Sequence, residues 1–171
     1  MKRVEVCVCM LAMILVSSTA EAQRKVESGT YNLMLRALLK ENVPEVGAKE
    51  ARKEQLKYQF IDSREKREYE VSHIKNAIWV GYDDFDTTRL KGVAKDQQII
   101  VYCAVGARSE KIANKLIADG YTHVYNLYGG VFEWINEGFP VFNPQGKQTV
   151  KVHAYSRTWG IWLTKGEKVY Q

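Results

Sequence analysis

Residues 97–120, QQIIVYCAVGARSEKIANKLIADG, constrain the fold more than any other stretch. Ile99 to Tyr102 form an unbroken apolar run that ends on a thiol, Cys103. Strands covered on both faces read this way, whereas half-exposed strands alternate apolar and polar residues. After Gly106 the apolar residues switch to a helical period. Ile112, Leu116 and Ile117 share one stripe, and Gly120 supplies the stop. A buried strand passing within a few residues into an amphipathic helix requires a parallel sheet with helices packed on it.

The same alternation continues on either side, from about residue 45 to 142. YQFID (58–62) is a short apolar strand, NAIWVGY (76–82) a second, and THVYNLYGG (122–130) a strand and turn. SREKREYEVSHI reads as a polar helix or turn, and YDDFDTTRLKGVAKD as a linker with a weak helical element. VFEWINEGFPV is a short helix with Gly138 and Pro140 past its end. Upstream, Leu33, Met34, Ala37 and Leu38 lie at helical spacing before Pro44, and GAKEARKEQL is a second helix-prone segment. The last stretch, TVKVHAYSRTWGIWLTKGEKVYQ, is aromatic and alternating and predicts one or two added strands. Its Trp159, Trp162 and Tyr170 either cover the sheet or form an interaction surface. The pattern predicts an α/β domain at 44–142, an N-terminal helical segment at 23–43 and a C-terminal extension at 143–171.

Residues 1–22 have the three-part layout of a secretory signal peptide. Lys2 and Arg3 form a basic start, and Val6–Val16 is an apolar run of eleven residues, short for a bilayer span. Ser17, Ser18 and Thr19 follow, and Ala20-Glu21-Ala22 fits a cleavage site. An uncleaved anchor and a buried N-terminal helix are the alternatives. Cleavage after Ala22 removes Cys7 and Cys9, so 171 residues less 22 leaves 149 with Cys103 as the one thiol. The expectation is a periplasmic or secreted protein without stable membrane insertion. A lone thiol in an oxidising compartment is a liability unless buried or useful, and it cannot be trapped in an internal disulfide.

The net charge of +5 is spread among interleaved acids and bases, with no basic stripe carrying aromatics, which argues against nucleic-acid binding. His123 and His153 have no partner spacing for a metal, and no cofactor or metal is expected.

Ligands of open α/β sheets sit beyond the carboxyl ends of the strands, where Cys103 lies. Gly106 permits the sharp turn of the CAVGAR loop into the helix. The loop amides of Ala104, Val105, Gly106 and Ala107, with the helix N-terminus, are expected to form a small bowl that attracts anions and favours a thiolate. Arg108 adds a charge able to pair with an oxyanion, and Ser109 follows it. Lys111 and Lys115 either line the rim or are solvated. A cysteine acting as a small apolar residue is the competing account. The bowl is expected to be open to solvent, and burial under side chains would leave the fold while removing the ground for an enzyme.

From about Pro44 to Val141 the chain resembles a rhodanese homology domain. The resemblance is carried by FIDSRE (Asp62, Arg64, Glu65), HIKNAI (His73, Ile74, Ala77), IIVYCAVGARS (Cys103, Gly106, Arg108, Ser109), Gly120-Tyr121 and YGGVFEW (Gly129, Gly130, Trp134). It implies a twisted, mostly parallel sheet of about five strands flanked by helices, here with a short C-terminal β extension. It implies that Cys103 accepts a sulfane sulfur as a persulfide from a small anionic donor of thiosulfate type and passes it to a thiophilic acceptor. The family's phosphatase relatives use C-x5-R; here the loop is the shorter C-x-x-G-x-R, a bowl better suited to sulfur. The turn usually written G-H-I-P-G-A stands here as Ser72-His73-Ile74-Lys75-Asn76-Ala77. Asp62 and Arg64 read as an ion pair supporting the first helix, His73 as a hydrogen-bonding element of the turn and Trp134 as core. A non-catalytic partner-binding or sulfur-carrier module, with a protein docked through the extension, is the alternative to a sulfurtransferase.

Overall fold

The computed structural model describes residues 26–171; the signal-peptide expectation for 1–22 lies outside them. Five parallel strands form the central sheet: β1 (Glu45–Val46), β2 (Gln59–Asp62), β3 (Ile78–Trp79), β4 (Ile99–Tyr102) and β5 (Val124–Leu127), in the order β1-β5-β4-β2-β3. All four residues of the central β4 are buried. Its alternate side chains enter different layers. Ile99 and Val101 meet Ile112, Ala113 and Leu116 of helix α4 (Ala107–Ala118). Ile100 and Tyr102 join Phe60, Phe132 and Trp134 on the other face. A strand packed on both sides has no polar face to alternate, which is why the sequence reads as one apolar block.

Three elements cover that second face. Helix α1 (Gly29–Leu38) is started by Ser28, whose hydroxyl accepts from Tyr31 N, and it buries Tyr31 and Leu35. Helix α5 (Gly130–Asn136) is buried along its whole length. Trp134 is fully buried, lies edge-on to Phe60 at 5.5 Å and Phe139 at 5.2 Å, and donates Nε1–H to Pro140 O at 3.0 Å. The rest of the chain supplies the third element. It forms a hairpin of β6 (Val141–Phe142) and β7 (Gln148–Thr149), then β8 (Lys151–His153), the short α6 (Arg157–Gly160) and β9 (Glu167–Val169), with β8 and β9 parallel. Val152, Ala154 and Leu163 of this extension are fully buried in the α1–α5 core.

Two further elements complete the sequence pattern: α2 (Ala48–Lys53), running on through a 3-10 turn at Gln55–Lys57, and α3 (Lys66–Val71). The linker element is a 3-10 turn, Thr87–Leu90, held by Asp86 accepting from Thr88 N. Within the order of strands and helices the structure differs from the sequence reading at β1 and in the extension. β1 is a two-residue strand directly after Pro44, too short to carry a periodicity. The extension breaks its alternation with α6, capped by Ser156 accepting from Trp159 N. In the 72–77 turn Asn76 takes φ +61° where the related turn has glycine; asparagine tolerates that region best among residues with a side chain. His73 exchanges backbone hydrogen bonds with Phe142 and stacks on Tyr69 at 3.9 Å, so its role is structural.

Candidate functional site

Cys103 directly follows β4, and residues 103–106 turn into the twelve-residue α4. Gly106 takes φ +118°, and its N–H donates to Cys103 Sγ at 3.2 Å. The loop is clamped from both sides. Cys103 O and Ala104 O accept from Val131 N and Phe132 N at 2.9 and 3.0 Å. A trans peptide opposes its carbonyl to the next N–H, so this turns the amides of Ala104 and Val105 away from α5. Gly106 O accepts from Asn126 Nδ2 at 3.1 Å, and Ser109 Oγ lies 2.7 Å from Asn126 Oδ1 and 3.0 Å from Gly106 O. The closeness of α5 to the loop depends on Gly130, at φ +59°: a Cβ there would lie 2.5 Å from both Cys103 O and Ala104 O.

The expected open bowl is not what the structure holds. Cys103 is only 1% exposed, and Ala104 and Val105 are buried in one cluster with Tyr31, Leu35 and Leu39 from the N-terminal side and Ala154 and Leu163 from the extension. The physical reason is that both flanking segments fold over the loop. Tyr31 stacks on Trp162 at 5.3 Å and donates its hydroxyl to Gly129 O at 2.7 Å. Burial first, then the charges of Glu133 and Cys103, push its phenol well above the usual range. Nothing in the two flanking patterns said where on the sheet they would lie. A groove of about 710 Å³ opens elsewhere, between α3 and the C-terminal strands, lined by Tyr69, Trp79, Pro144 and Val169 among others and by no residue of the loop.

Arg108 also departs from the expectation that its charge is held for an oxyanion. Its guanidinium forms a two-pronged pair with Glu68, Nη1 to Oε2 at 2.6 Å and Nη2 to Oε1 at 2.8 Å. Glu68 is fully buried at the third position of α3, and its Oε2 also accepts from Glu65 N in a capping box. Burial alone would raise the Glu68 carboxyl, but the hydrogen bonds and charge of Arg108, with Arg64 behind them, hold it below the ordinary carboxylate range. Burial works against the Arg108 cation as well. Glu68 and the sulfur's charge outweigh it, so the group stays protonated. Lys111 and Lys115 lie over the rings of Tyr82 and Phe85 at 6.0 and 5.1 Å.

Asp62 and Arg64 form a fully buried pair one strand away. Arg64 Nη2 meets Asp62 Oδ2 at 2.6 Å, Nε meets both carboxylate oxygens, and Nη2 also donates to Ser72 O. The pair ties the end of β2 to the end of α3 and does not touch the sulfur loop. Sequence reasoning missed Glu68, hidden in the charge-rich REKREYE run, and Asn126. A signal for Asn126 existed: it is the polar residue inside an otherwise apolar strand, and buried amides must find partners. Among the described residues no three His, Cys, Asp or Glu side chains are grouped to hold a metal ion, and no helix is long and apolar enough to cross a membrane.

This parallel sheet, with a cysteine loop at the end of its central strand, defines the class. The rhodanese-like domain model matches residues 46–137, and the chain belongs to that family. It is similar to the tRNA uridine(34) hydroxylases of Photorhabdus laumondii (38% identical over 92 residues) and Buchnera aphidicola (34% over 91 residues). Each match covers 48% of this chain and 26% or 28% of the relative, so the chain spans about a quarter of those proteins. Among solved structures, a rhodanese-related protein from Thermoplasma volcanium has 28% identity and a TM-score of 0.51, covering 57% of this chain and 96% of that one. The thiosulfate sulfurtransferase of Pseudomonas aeruginosa has 21% identity and a TM-score of 0.54, over 67% of this chain and 22% of its own, a likeness of fold alone.

Proposed function

We propose that the chain is an exported sulfurtransferase that carries sulfane sulfur on Cys103. The single observation behind this reading is the loop geometry: Gly106 N–H is donated to Cys103 Sγ at 3.2 Å while the Ala104 and Val105 amides face away from the α5 clamp. An N–H donated to a sulfur beside a helix N-terminus suits the small anions that sulfur reacts with. In the first half-reaction the Cys103 thiolate attacks the outer sulfur of thiosulfate. The donor S–S bond breaks, sulfite leaves with the bonding pair, and Cys103 holds a persulfide. In the second, a thiophilic nucleophile such as cyanide attacks the outer sulfur and Cys103 leaves as thiolate. Neither step requires a proton from a general acid, which suits a loop with no histidine in it. Arg108, tied to Glu68, fixes the start of α4 and contributes its charge at a distance.

The burial of Cys103, the condition that on the sequence reading removes the ground for an enzyme, favours a second reading, a carrier or docking module whose sulfur is reached only when a partner displaces the flanking segments. Steady-state assay separates the two. A transferase turns over thiosulfate and cyanide by itself, and Cys103→Ser abolishes the rate. A module shows no turnover beyond the Cys103→Ser background. The leader at 1–22 supports export; N-terminal sequencing of secreted material beginning at Gln23 tests it.

A further inference from the structure

We infer that Tyr155, in the C-terminal extension, is a specificity-determining residue that closes the Cys103 site against bulky sulfur donors. The inference rests on the sulfurtransferase reading. It starts from an outlier in the backbone. Ser156 N donates to Ala154 O at 2.7 Å, closing a three-residue turn with Tyr155 at φ +62° in its centre. Such γ-turns are rare and strained, and for a residue with a large side chain the cost is met only where the surroundings enforce it. The surroundings here do. Ala154 is fully buried and donates to Val169 O, Tyr155 N donates to Nδ1 of the fully buried His153, and Ser156 caps α6.

That anchored turn does not sink the Tyr155 side chain into the core: the residue is 42% exposed. The ring instead sits over Arg108, 4.7 Å from Cζ, and Tyr82 approaches the same guanidinium at 5.9 Å. Arg108 is the second residue of α4, with 15% of its side chain still in contact with solvent, and its charge feels that of the Cys103 sulfur, which is itself 1% exposed. The strain therefore holds an aromatic ring on the cation that follows the loop. A ring attracted to a cation is a cover that can swing away, because an exposed contact of this kind is weak. A small anion needs only a brief opening, whereas a donor carrying an organic group needs the ring displaced throughout.

The test uses the purified protein and two readouts on Tyr155→Ala, Tyr155→Gly and Tyr155→Phe. The first is alkylation of Cys103 by iodoacetamide and by fluorescein maleimide, which needs no sulfur chemistry. The second is kcat/KM with thiosulfate and with glutathione persulfide. The Ala and Gly variants are expected to react about two- to fivefold faster with the bulky maleimide and the bulky donor, with no change for iodoacetamide and thiosulfate. Tyr155→Phe, which keeps the ring, stays at the wild-type values, and Tyr155→Gly unfolds at a higher temperature than Tyr155→Ala because glycine suits the turn. Leu116→Ala, a destabilising change beneath the opposite face of the sheet, controls for general loosening. Equal maleimide rates in wild type and Tyr155→Ala, or an equal rise in Leu116→Ala, overturn the inference. A protein that takes no sulfur from either donor, yet shows the alkylation pattern, overturns the sulfurtransferase reading and leaves the cover in place.

Discussion

Replacing Asp62 with asparagine leaves the shape of the site nearly unchanged and removes its negative charge. Arg64 then keeps a full positive charge with no exposure to solvent, hydrogen-bonded only to amide and carbonyl oxygens. The structure gives that guanidinium three contacts with the Asp62 carboxylate, at 2.6, 2.9 and 3.1 Å. Breaking a buried ion pair by losing one partner costs about 3–5 kcal/mol, because the other charge stays desolvated. In a domain of this size that is a fall of about 10 °C in Tm. Urea unfolding followed by circular dichroism reads the loss as a shift in midpoint at constant slope. The double variant Asp62→Asn/Arg64→Met removes both charges and is expected to recover at least half of the loss. A loss below about 1 kcal/mol for the single variant, the value of a solvated pair, would refute the reasoning.

The clamp on the loop makes a contrast between glycines. Gly130→Ala forces a Cβ onto two carbonyl oxygens and is expected to lose more than about 2 kcal/mol by the same urea measurement, whereas Gly146→Ala, also at positive φ but with open space around it, loses about 1 kcal/mol. Glu68→Gln should cost about 2–3 kcal/mol in urea unfolding, and adding Arg108→Lys should not restore it, since the ammonium leaves the same positive charge there without a carboxylate partner. Burial holds the imidazoles of His73 and His153 below their ordinary 6.5, so the unfolded chain takes up protons that the folded chain refuses. Stability is therefore full above about pH 6.5 and falls as the pH drops below it. His153→Phe should flatten that fall in a series of melts from pH 7.5 to 5.5, and an unchanged slope would contradict it.

The legible parts of this fold were those whose signal is local. The apolar block at 99–102, the switch to helical period after Gly106 and the glycine that turns the loop were all readable, because strand burial, helix facing and positive φ each leave a mark on nearby residues. Asp62 and Arg64 were readable because a charged pair at a strand end, two residues apart, can satisfy itself. Tertiary placement left no such mark. Glu68 reads as one acid in a solvated run, yet it lies beneath Arg108, forty residues on. Leu39 and Ala154 sit on opposite sides of the loop in sequence, and both join the buried cluster that holds Ala104 and Val105. The burial of Cys103 follows from those two arrivals, and neither segment has a periodicity that states its destination. Asn126 is the intermediate case: its polarity in a buried strand calls for partners, but only the folded chain brings Gly106 and Ser109 to it.

Intact-protein mass spectrometry after incubation with thiosulfate tests most directly whether Cys103 carries sulfur. The account predicts a gain of one sulfur atom on Cys103, discharged by cyanide and missing from Cys103→Ser. A protein whose Cys103 is reduced and open to iodoacetamide, yet gains no mass from thiosulfate, would contradict it.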